Sequence, residues 1–373
     1  MAAVSLSGAL TAVVTPFSDD LSEIDWAAFD ALVEAQLAGG ISGLVPCGTT
    51  GESPTLSDSE QRELVKRTAS LAKGKVPIFA GTGSNNTKKT IDASKAALEA
   101  GADGVMIVMP YYNKPSQQGL IRHVQTVAKE IGGAPVILYN IPGRTGVELS
   151  VESTLELLDS SPNVVAIKDA TGNVMWCQEL LRRAAGRVTL LSGDDPLTLP
   201  MMVVGASGVI SVTSNLFPRE VSEVCADALA GRWDEARKKH LALLPVHRAM
   251  FIEPNPQPMK AALCLDGRMK PGVRLPLVEA SAGCREAVGR AVTCAHRSDS
   301  RIPRFSLWTA PRSSRPPGLL RGHRAARPVA PGGARHWCAG RRLAVWALPG
   351  SATAGPCPRA GAACRPRRQG IAV

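Results

Sequence analysis

The sequence has no long hydrophobic stretch, no closely paired cysteines and no charged leader. No apolar run in its 373 residues reaches the roughly 20 that a membrane-spanning helix requires. Its nine cysteines include no CxxC pair, so we expect no zinc site and a reduced, cytoplasmic setting. The first residues, MAAVSLSGALTAVVTPF, lead straight into a predicted strand, so we expect no secretory signal. These absences predict a soluble globular protein.

Lysine and acidic residues are almost missing from the last part of the chain. From Thr293 onward there are 15 arginines, no lysine, and Asp299 as the sole acid. Subtracting these from 43 basic and 32 acidic residues leaves 28 and 31, so the tail carries a formal charge of +14 and the rest of the chain −3. Arg, Pro, Gly and Ala dominate the tail, which has too little patterned apolar content to bury a core. We predict that residues 293–373 are a disordered or out-of-frame extension; nucleic-acid binding through arginine is the alternative.

Short apolar runs alternate with longer segments of helical period up to about residue 230. We predict eight strands, at ALTAVV, SGLVP, VPIFA, GVMIVM, PVILY, VVAIK, VTLL and GVIS. They recur at the spacing of one strand and one helix per step, and polar residues follow each strand. This rhythm favours an α/β protein folded as a closed (β/α)8 TIM barrel over an open doubly wound sheet.

The predicted helices have recognisable starts and a continuation beyond the barrel. Asp25 precedes WAAFDALVEAQLAGG and Thr87 precedes KKTIDASKAALEAG, and glycine closes both segments. A further helical pattern runs from Trp233 to Leu265. We therefore divide the chain into a catalytic barrel over residues 1–230, an appended C-terminal helical region over 231–292, and the tail.

Lys168 is the most informative candidate for chemistry. It ends the apolar run VVAI and precedes Asp169-Ala170-Thr171-Gly172, which places it at the rim where barrel enzymes carry their active sites. A lysine taken out of water there would have a lowered pKa and could attack a carbonyl to form a Schiff base. The alternative is a strand-end lysine whose ammonium extends to solvent.

Other strand ends supply polar groups that suit such a reaction. The turn at Thr49 and Thr50 could hold a carboxylate, although a plain Gly/Thr turn is equally compatible. Tyr112 and Tyr139 are two of only three tyrosines and could relay protons, or could be structural phenols. Arg144 could clamp a second carboxylate, or could be an ordinary surface arginine.

Together these residues describe a class I aldolase-like site. It would contain an imine-forming lysine, a carboxylate cradle, a proton relay and a second anion clamp. The sequence has no P-loop, no GxGxxG and no cluster of metal ligands, so we expect neither a metal nor a nucleotide cofactor.

Ordered motifs from about Gly8 to about Val292 resemble one known family. They include GTTGES, AGTGSN, PYYNKPSQ, LYNIPGRTG, IKDATGN, LSGDD, GVISV, EPNPQPMK and RLPL. The chain resembles the dihydrodipicolinate synthase family, within the N-acetylneuraminate lyase superfamily of pyruvate-dependent barrels. GTTGE, Tyr112 and Arg144 favour this family; a 2-keto-3-deoxy sugar-acid aldolase is the alternative.

The resemblance implies a carbon-oxygen lyase of lysine and diaminopimelate biosynthesis that condenses pyruvate with L-aspartate 4-semialdehyde. Lys168 would form a covalent imine with pyruvate, with no other cofactor. Tyr139 would be the main acid/base group, with Thr50 and Tyr112 completing its proton relay.

The remaining implied roles concern binding and assembly. Thr49 and Thr50 would hold the pyruvate carboxylate, the backbone of Ile210 would line the pocket, and Arg144 would bind the semialdehyde carboxylate. The resemblance also implies a homotetramer in which Tyr112 reaches a neighbouring subunit's site.

One further implied site would bind lysine as a feedback inhibitor. Ser53, Asn85 and Tyr111 match the family there, whereas Lys89 replaces a glutamate, and Asp58 and Gln61 replace histidines. A cationic Lys89 facing an amino-acid ammonium is unfavourable, so we expect weak or absent inhibition by lysine.

Overall fold

A computed structural model of the chain describes residues 6–72 and 74–298. The eight predicted strands are all present: β1 Gly8–Ala12, β2 Gly43–Val45, β3 Phe79–Gly81, β4 Gly104–Val108, β5 Val136–Asn140, β6 Val164–Asp169, β7 Thr189–Ser192 and β8 Gly208–Ser211. The helices are α1 Trp26–Ala38, α2 Asp58–Ala72, α3 Thr87–Glu99, α4 Gln117–Glu130, α5 Pro142–Thr145, α6 Val151–Ser160, α7 Val174–Ala184, α8 Thr198–Val203, α9 Pro218–Leu229, α10 Trp233–Ala249, α11 Gln257–Leu265 and α12 Ala282–Ser298. None of the helices in these ranges is long and apolar enough to cross a membrane.

The strands form one parallel sheet that curls into a barrel. Neighbours follow the order β2-β1-β8-β7-β6-β5-β4-β3, and every pair is parallel. The two ends of this order meet at a bridge between Leu44 and Ile78, supported by a bond from the Gly81 N–H to the Pro46 carbonyl. The prediction of a (β/α)8 barrel is confirmed, and all strands therefore present their carboxyl ends at one face.

The apolar residues separate into an inner and an outer layer. Inside the barrel, Leu10, Phe79, Ile137 and Ile210 pack with Tyr139 in one buried cluster. The outer layer fills the space between the strands and the surrounding helices. This explains why the strands are nearly continuous hydrophobic runs in the sequence: both faces of each strand are covered.

The helix starts follow from capping chemistry. Asp25 caps α1 as predicted, because its carboxylate accepts a hydrogen bond from the Ala28 N–H. For α3 the cap is Asn86, one residue before Thr87, and it accepts from the Lys89 N–H. Thr87 is the first helical residue instead, and its hydroxyl contacts the buried ring of His123.

Beyond the barrel, the chain continues as three helices. α10 packs against α9 and α12, and α11 packs against α12. α12 runs through Val292 to Ser298. The remainder of the predicted tail, residues 299–373, lies outside the described residues. The prediction that the tail is disordered, and the alternative that it binds nucleic acid, concern these residues.

Candidate active site

Lys168 lies in β6 at the carboxyl face of the barrel and is removed from water. Its side chain is buried, with 4% relative exposure. Burial lowers its pKa from 10.5 to about 8; the nearby Asp195 opposes this shift and Arg144 adds to it. At neutral pH roughly one Lys168 in ten would be uncharged, against roughly one in 3,000 for an ordinary lysine. Burial of Lys168 therefore increases the share of the neutral, nucleophilic amine that imine formation requires.

Tyr139 is the direct neighbour of Lys168 across the sheet. The two residues are paired in register between β5 and β6, and the Lys168 Nζ lies 4.2 Å from the centre of the Tyr139 ring. Burial raises the pKa of Tyr139 to about 12, so the phenol is protonated at neutral pH. Arg144 and the Thr49 side chain oppose this shift. The phenol can thus serve as an acid beside the amine.

A cavity of about 400 Å³ opens over these two residues. Its lining includes every strand end from β5 to β8 together with the turn after β2, and the residues are Thr49, Thr50, Tyr139, Ile141, Arg144, Lys168, Ala170, Gly193, Asp194, Pro196, Val212, Arg248, Phe251 and Asn255. Five of the residues singled out in the sequence, from turns and strands far apart in the chain, meet here: Thr49, Thr50, Tyr139, Arg144 and Lys168.

Thr50 and Arg144 are both linked to the same asparagine. The Asn255 Nδ2 donates to the Thr50 Oγ1 at 3.0 Å, and the Arg144 Nη2 donates to the Asn255 carbonyl at 3.5 Å. Thr50 is buried, whereas Arg144 is exposed at the mouth of the cavity. A carboxylate entering the cavity would therefore meet the Arg144 guanidinium before it reached Lys168.

Two predicted residues do not line this cavity. The Ile210 side chain is fully buried in the barrel interior, and Val212, directly after the same strand, lines the cavity. Tyr112 is 87% exposed and adopts φ +73°, a left-handed conformation that is costly for an aromatic residue. The lining of the Lys168 cavity in the same chain therefore does not include the Tyr112 side chain.

Most of the chain matches known proteins. The sequence profile of the Dihydrodipicolinate synthetase family matches residues 5–295. The chain belongs to this family.

Its similarity to individual family members is high and spans nearly their whole length. The 4-hydroxy-tetrahydrodipicolinate synthase of Sorangium cellulosum is 60% identical over 292 residues, which are 78% of this chain and 97% of that protein. The enzyme of the same name from Nitratidesulfovibrio vulgaris strain DP4 is 46% identical over 274 residues, covering 74% and 93%. The solved structure of 4-hydroxy-tetrahydrodipicolinate synthase from Methylacidiphilum fumariolicum SolV has a TM-score of 0.78 at 43% identity, covering 80% and 98%.

A second cavity of about 660 Å³ lies beside the first in this family member. It shares Thr49, Ile141 and Arg144 with the Lys168 cavity. Three of the four predicted effector residues line it: Ser53, Lys89 and Tyr111. Asn85 does not line it; its carbonyl accepts from the Asn113 Nδ2 at 3.0 Å.

Sequence reasoning assigned no role to Asp194 and Asn255, which both line the Lys168 cavity. Burial, with a smaller contribution from Asp195, raises the pKa of Asp194 to about 6. The signal for Asp194 was its position directly after β7 in LSGDD. Asn255 comes from the appended helical region, so no rule about strand ends could have found it.

Gly193 permits the close approach of β7 to Lys168. A Cβ at this position would lie 3.1 Å from the Lys168 Cε and 3.0 Å from the Asp169 carbonyl. A side chain there would press on the lysine stem and displace the amine.

We expect the rate of imine formation with pyruvate to rise steeply between about pH 7 and pH 9, because deprotonation passes through the lowered pKa of Lys168. An amine with the ordinary lysine pKa would keep gaining rate far above this range. Trapping the imine with borohydride after short incubations over a pH series measures the profile. A rate that does not level off near pH 9 would contradict a pKa of about 8.

Proposed function

We propose that the chain condenses pyruvate with L-aspartate 4-semialdehyde through a Schiff base on Lys168, the lyase reaction of 4-hydroxy-tetrahydrodipicolinate synthase. The observation that carries this proposal is the buried Lys168, with a pKa of about 8, packed against the Tyr139 ring. The family, and relatives of that name at up to 60% identity among those compared, support this reaction over a sugar-acid aldolase. This reaction would place the chain in lysine and diaminopimelate biosynthesis.

Lys168 and Tyr139 have different roles in the proposed reaction. The neutral Lys168 amine attacks the pyruvate carbonyl carbon, and loss of water leaves the imine. Removal of a proton from the pyruvate methyl group gives an enamine, which attacks the aldehyde carbon of the semialdehyde. Tyr139 stands beside the amine and can donate and recover the protons of these steps. Ring closure by the semialdehyde amine then releases the product from Lys168.

The two carboxylates of the substrates have separate places. The turn at Thr49 and Thr50 would hold the pyruvate carboxylate through hydroxyl and N–H donors at the cavity floor. Arg144, at the mouth, would bind the semialdehyde carboxylate. Ile210 would contribute through its backbone only. The imine is the sole cofactor-like group that this scheme uses.

Borohydride reduction in the presence of pyruvate, followed by peptide mass mapping, tests the proposal. The adduct should lie on Lys168. Lys260 is an internal control, because burial also lowers its pKa to about 8 although it lines neither cavity. An adduct on another lysine, or none, would overturn the mechanism.

The assembly that we propose is a cytoplasmic homotetramer in which Tyr112 serves a neighbouring subunit. Supporting this, Tyr112 is 87% exposed, holds a left-handed backbone conformation that is costly for an aromatic residue, and does not line the Lys168 cavity of its own chain. An exposed aromatic in such a conformation is a candidate for a contact with another copy of the chain.

Complementation between two inactive variants should test the Tyr112 assignment. Lys168→Met and Tyr112→Phe subunits, each weakly active alone, should regain activity when co-expressed. In paired subunits, about a quarter of all sites would combine an intact Lys168 with a partner's intact tyrosine. Turnover should be measured on the mixture and on each variant. If the mixture gives only the average of the two variants, Tyr112 acts within its own chain or not at all.

We expect free lysine to inhibit weakly or not at all. Lys89 is exposed on the wall of the 660 Å³ cavity, where its ammonium would repel those of a bound lysine. A lysine titration at fixed substrate concentrations measures this, and Lys89→Glu, which reverses the charge, should increase the sensitivity. Half-inhibition of the unmodified protein at micromolar lysine would contradict the prediction.

A further inference from the structure

Glu52 directly follows the Thr49 and Thr50 turn and is held in an unusual state. Its backbone is left-handed at φ 57°, and only 1% of its side chain is exposed. A buried carboxylate is costly unless a cation and hydrogen-bond donors compensate for the lost water. The partners of Glu52 therefore indicate what holds the turn in place.

The cation is Lys260, on α11 of the appended helical region. Its Nζ lies 2.5 Å from the Glu52 Oε1 and donates to the Gly272 carbonyl at 2.8 Å. The same Nζ lies 4.1 Å from the centre of the Phe17 ring, and the side chain has no exposed surface. The second carboxylate oxygen, Oε2, accepts from the Arg274 backbone N–H at 3.0 Å.

Arg274 ties the same segment to the barrel. Its guanidinium makes a bidentate contact with Glu60, at 2.9 and 2.7 Å, and lies 4.2 Å from the Phe17 ring centre. It also donates to the Leu21 and Thr55 carbonyls. The C-terminal segment is thus fixed to residues on both sides of the turn.

Asn255, which lies just before the start of α11, contacts the other end of the turn. Its Nδ2 donates a hydrogen bond to the Thr50 Oγ1. One short stretch of the C-terminal region therefore contacts Thr50 through a neutral hydrogen bond and Glu52 through a buried ion pair. Buried ion pairs are weak contributors to stability, since apolar residues of equal volume often stabilise as well. Their geometric requirement, however, fixes the position of the backbone that carries them.

We propose that Glu52 and Lys260 are positioning residues for the condensation: their ion pair fixes the Thr49 and Thr50 turn at the place where the pyruvate carboxylate binds. This rests on the proposed function of that turn. Neither side chain lines the Lys168 cavity, so both act through the turn and do not touch substrate. The appended helical region is then part of the active-site architecture.

The test compares single and paired substitutions. Lys260→Met or Glu52→Gln alone leaves an unpaired buried group and can prevent folding. The double variant Glu52→Gln/Lys260→Met removes both charges and keeps the volume. The matched control is Asp227→Asn/Lys239→Met, which removes a less deeply buried ion pair of 2.7 Å between α9 and α10.

We expect the folded double variant to lose about 10- to 100-fold in kcat/KM for pyruvate, since displacement of a binding group by about 1 Å costs on this order. Imine formation with pyruvate should slow by the same factor, while the KM for the semialdehyde and the thermal midpoint stay close to those of the unmodified protein. The control should retain normal kinetics. Normal pyruvate kinetics in the folded double variant would overturn the proposal.

Two further measurements make every outcome decisive. If the double variant does not fold, Glu52→Asp keeps the charge but shortens the side chain by one methylene; unchanged pyruvate kinetics in it would also reject the positioning role. Adduct formation in the unmodified protein distinguishes a failure of the proposed function from a failure of the positioning role. Its absence refutes the proposed function and the inference with it, whereas its presence with an unaffected double variant refutes the inference alone.

Discussion

Replacing Lys168 with methionine should remove imine formation and reduce turnover by on the order of 10³-fold or more, as loss of a covalent nucleophile does elsewhere. Methionine has a similar length and suits the buried, apolar position beside the Tyr139 ring, so the fold should tolerate it. The measurements are coupled turnover with both substrates and mass spectrometry after borohydride reduction with pyruvate.

Lys129→Met is the matched control for this experiment. Lys129 is exposed in the last turn of α4, on the outside of the barrel, so the same chemical change there should leave both measurements unaltered. Turnover by Lys168→Met within tenfold of the unmodified protein would show that the reaction does not depend on a covalent intermediate at this residue.

Replacing Tyr139 with phenylalanine should lower kcat by about 10²- to 10³-fold, because a positioned acid/base group contributes on this order. The variant keeps the ring that packs 4.2 Å from the Lys168 Nζ and loses only the phenol hydroxyl. The pyruvate imine should still form, more slowly, so trapping separates a failure of proton transfer from a failure of binding.

Tyr111→Phe is the matched control, because it removes the same hydroxyl from a tyrosine that lines the neighbouring cavity. Tyr111 lines the 660 Å³ cavity and is absent from the lining of the Lys168 cavity, so its loss of a hydroxyl should have little effect on kcat. Equal kcat values for Tyr139→Phe and Tyr111→Phe would remove Tyr139 from the proton relay.

Much of the barrel followed from local patterns because its strands are covered on both faces. Their continuous apolar runs are visible in the sequence, and all eight occur where predicted. A polar side chain at the end of such a run must lie at the rim. Lys168 and Tyr139 were identified in this way, and their pairing in register between β5 and β6 places them side by side.

The remaining parts of the site depend on contacts between distant segments. Asn255 belongs to the helical region, yet its amide bonds to Thr50. Lys260 resembles any helical lysine in the sequence, yet it is fully buried against Glu52. Local periodicity carries no information about such pairs.

The fold class could be derived from the amino-acid sequence, because hydrophobic periodicity and polar strand ends are local properties. The family was identified from its ordered motifs, and Lys168 became the candidate for imine formation from its position at a strand end. How far Lys168 is withdrawn from water, and hence that its pKa is about 8, depends on tertiary packing. The same packing holds the Thr49 and Thr50 turn from the C-terminal helical region, through Asn255 and Lys260. Desolvation and ion pairing depend on which segments close over a group, and that is settled only when the whole chain packs.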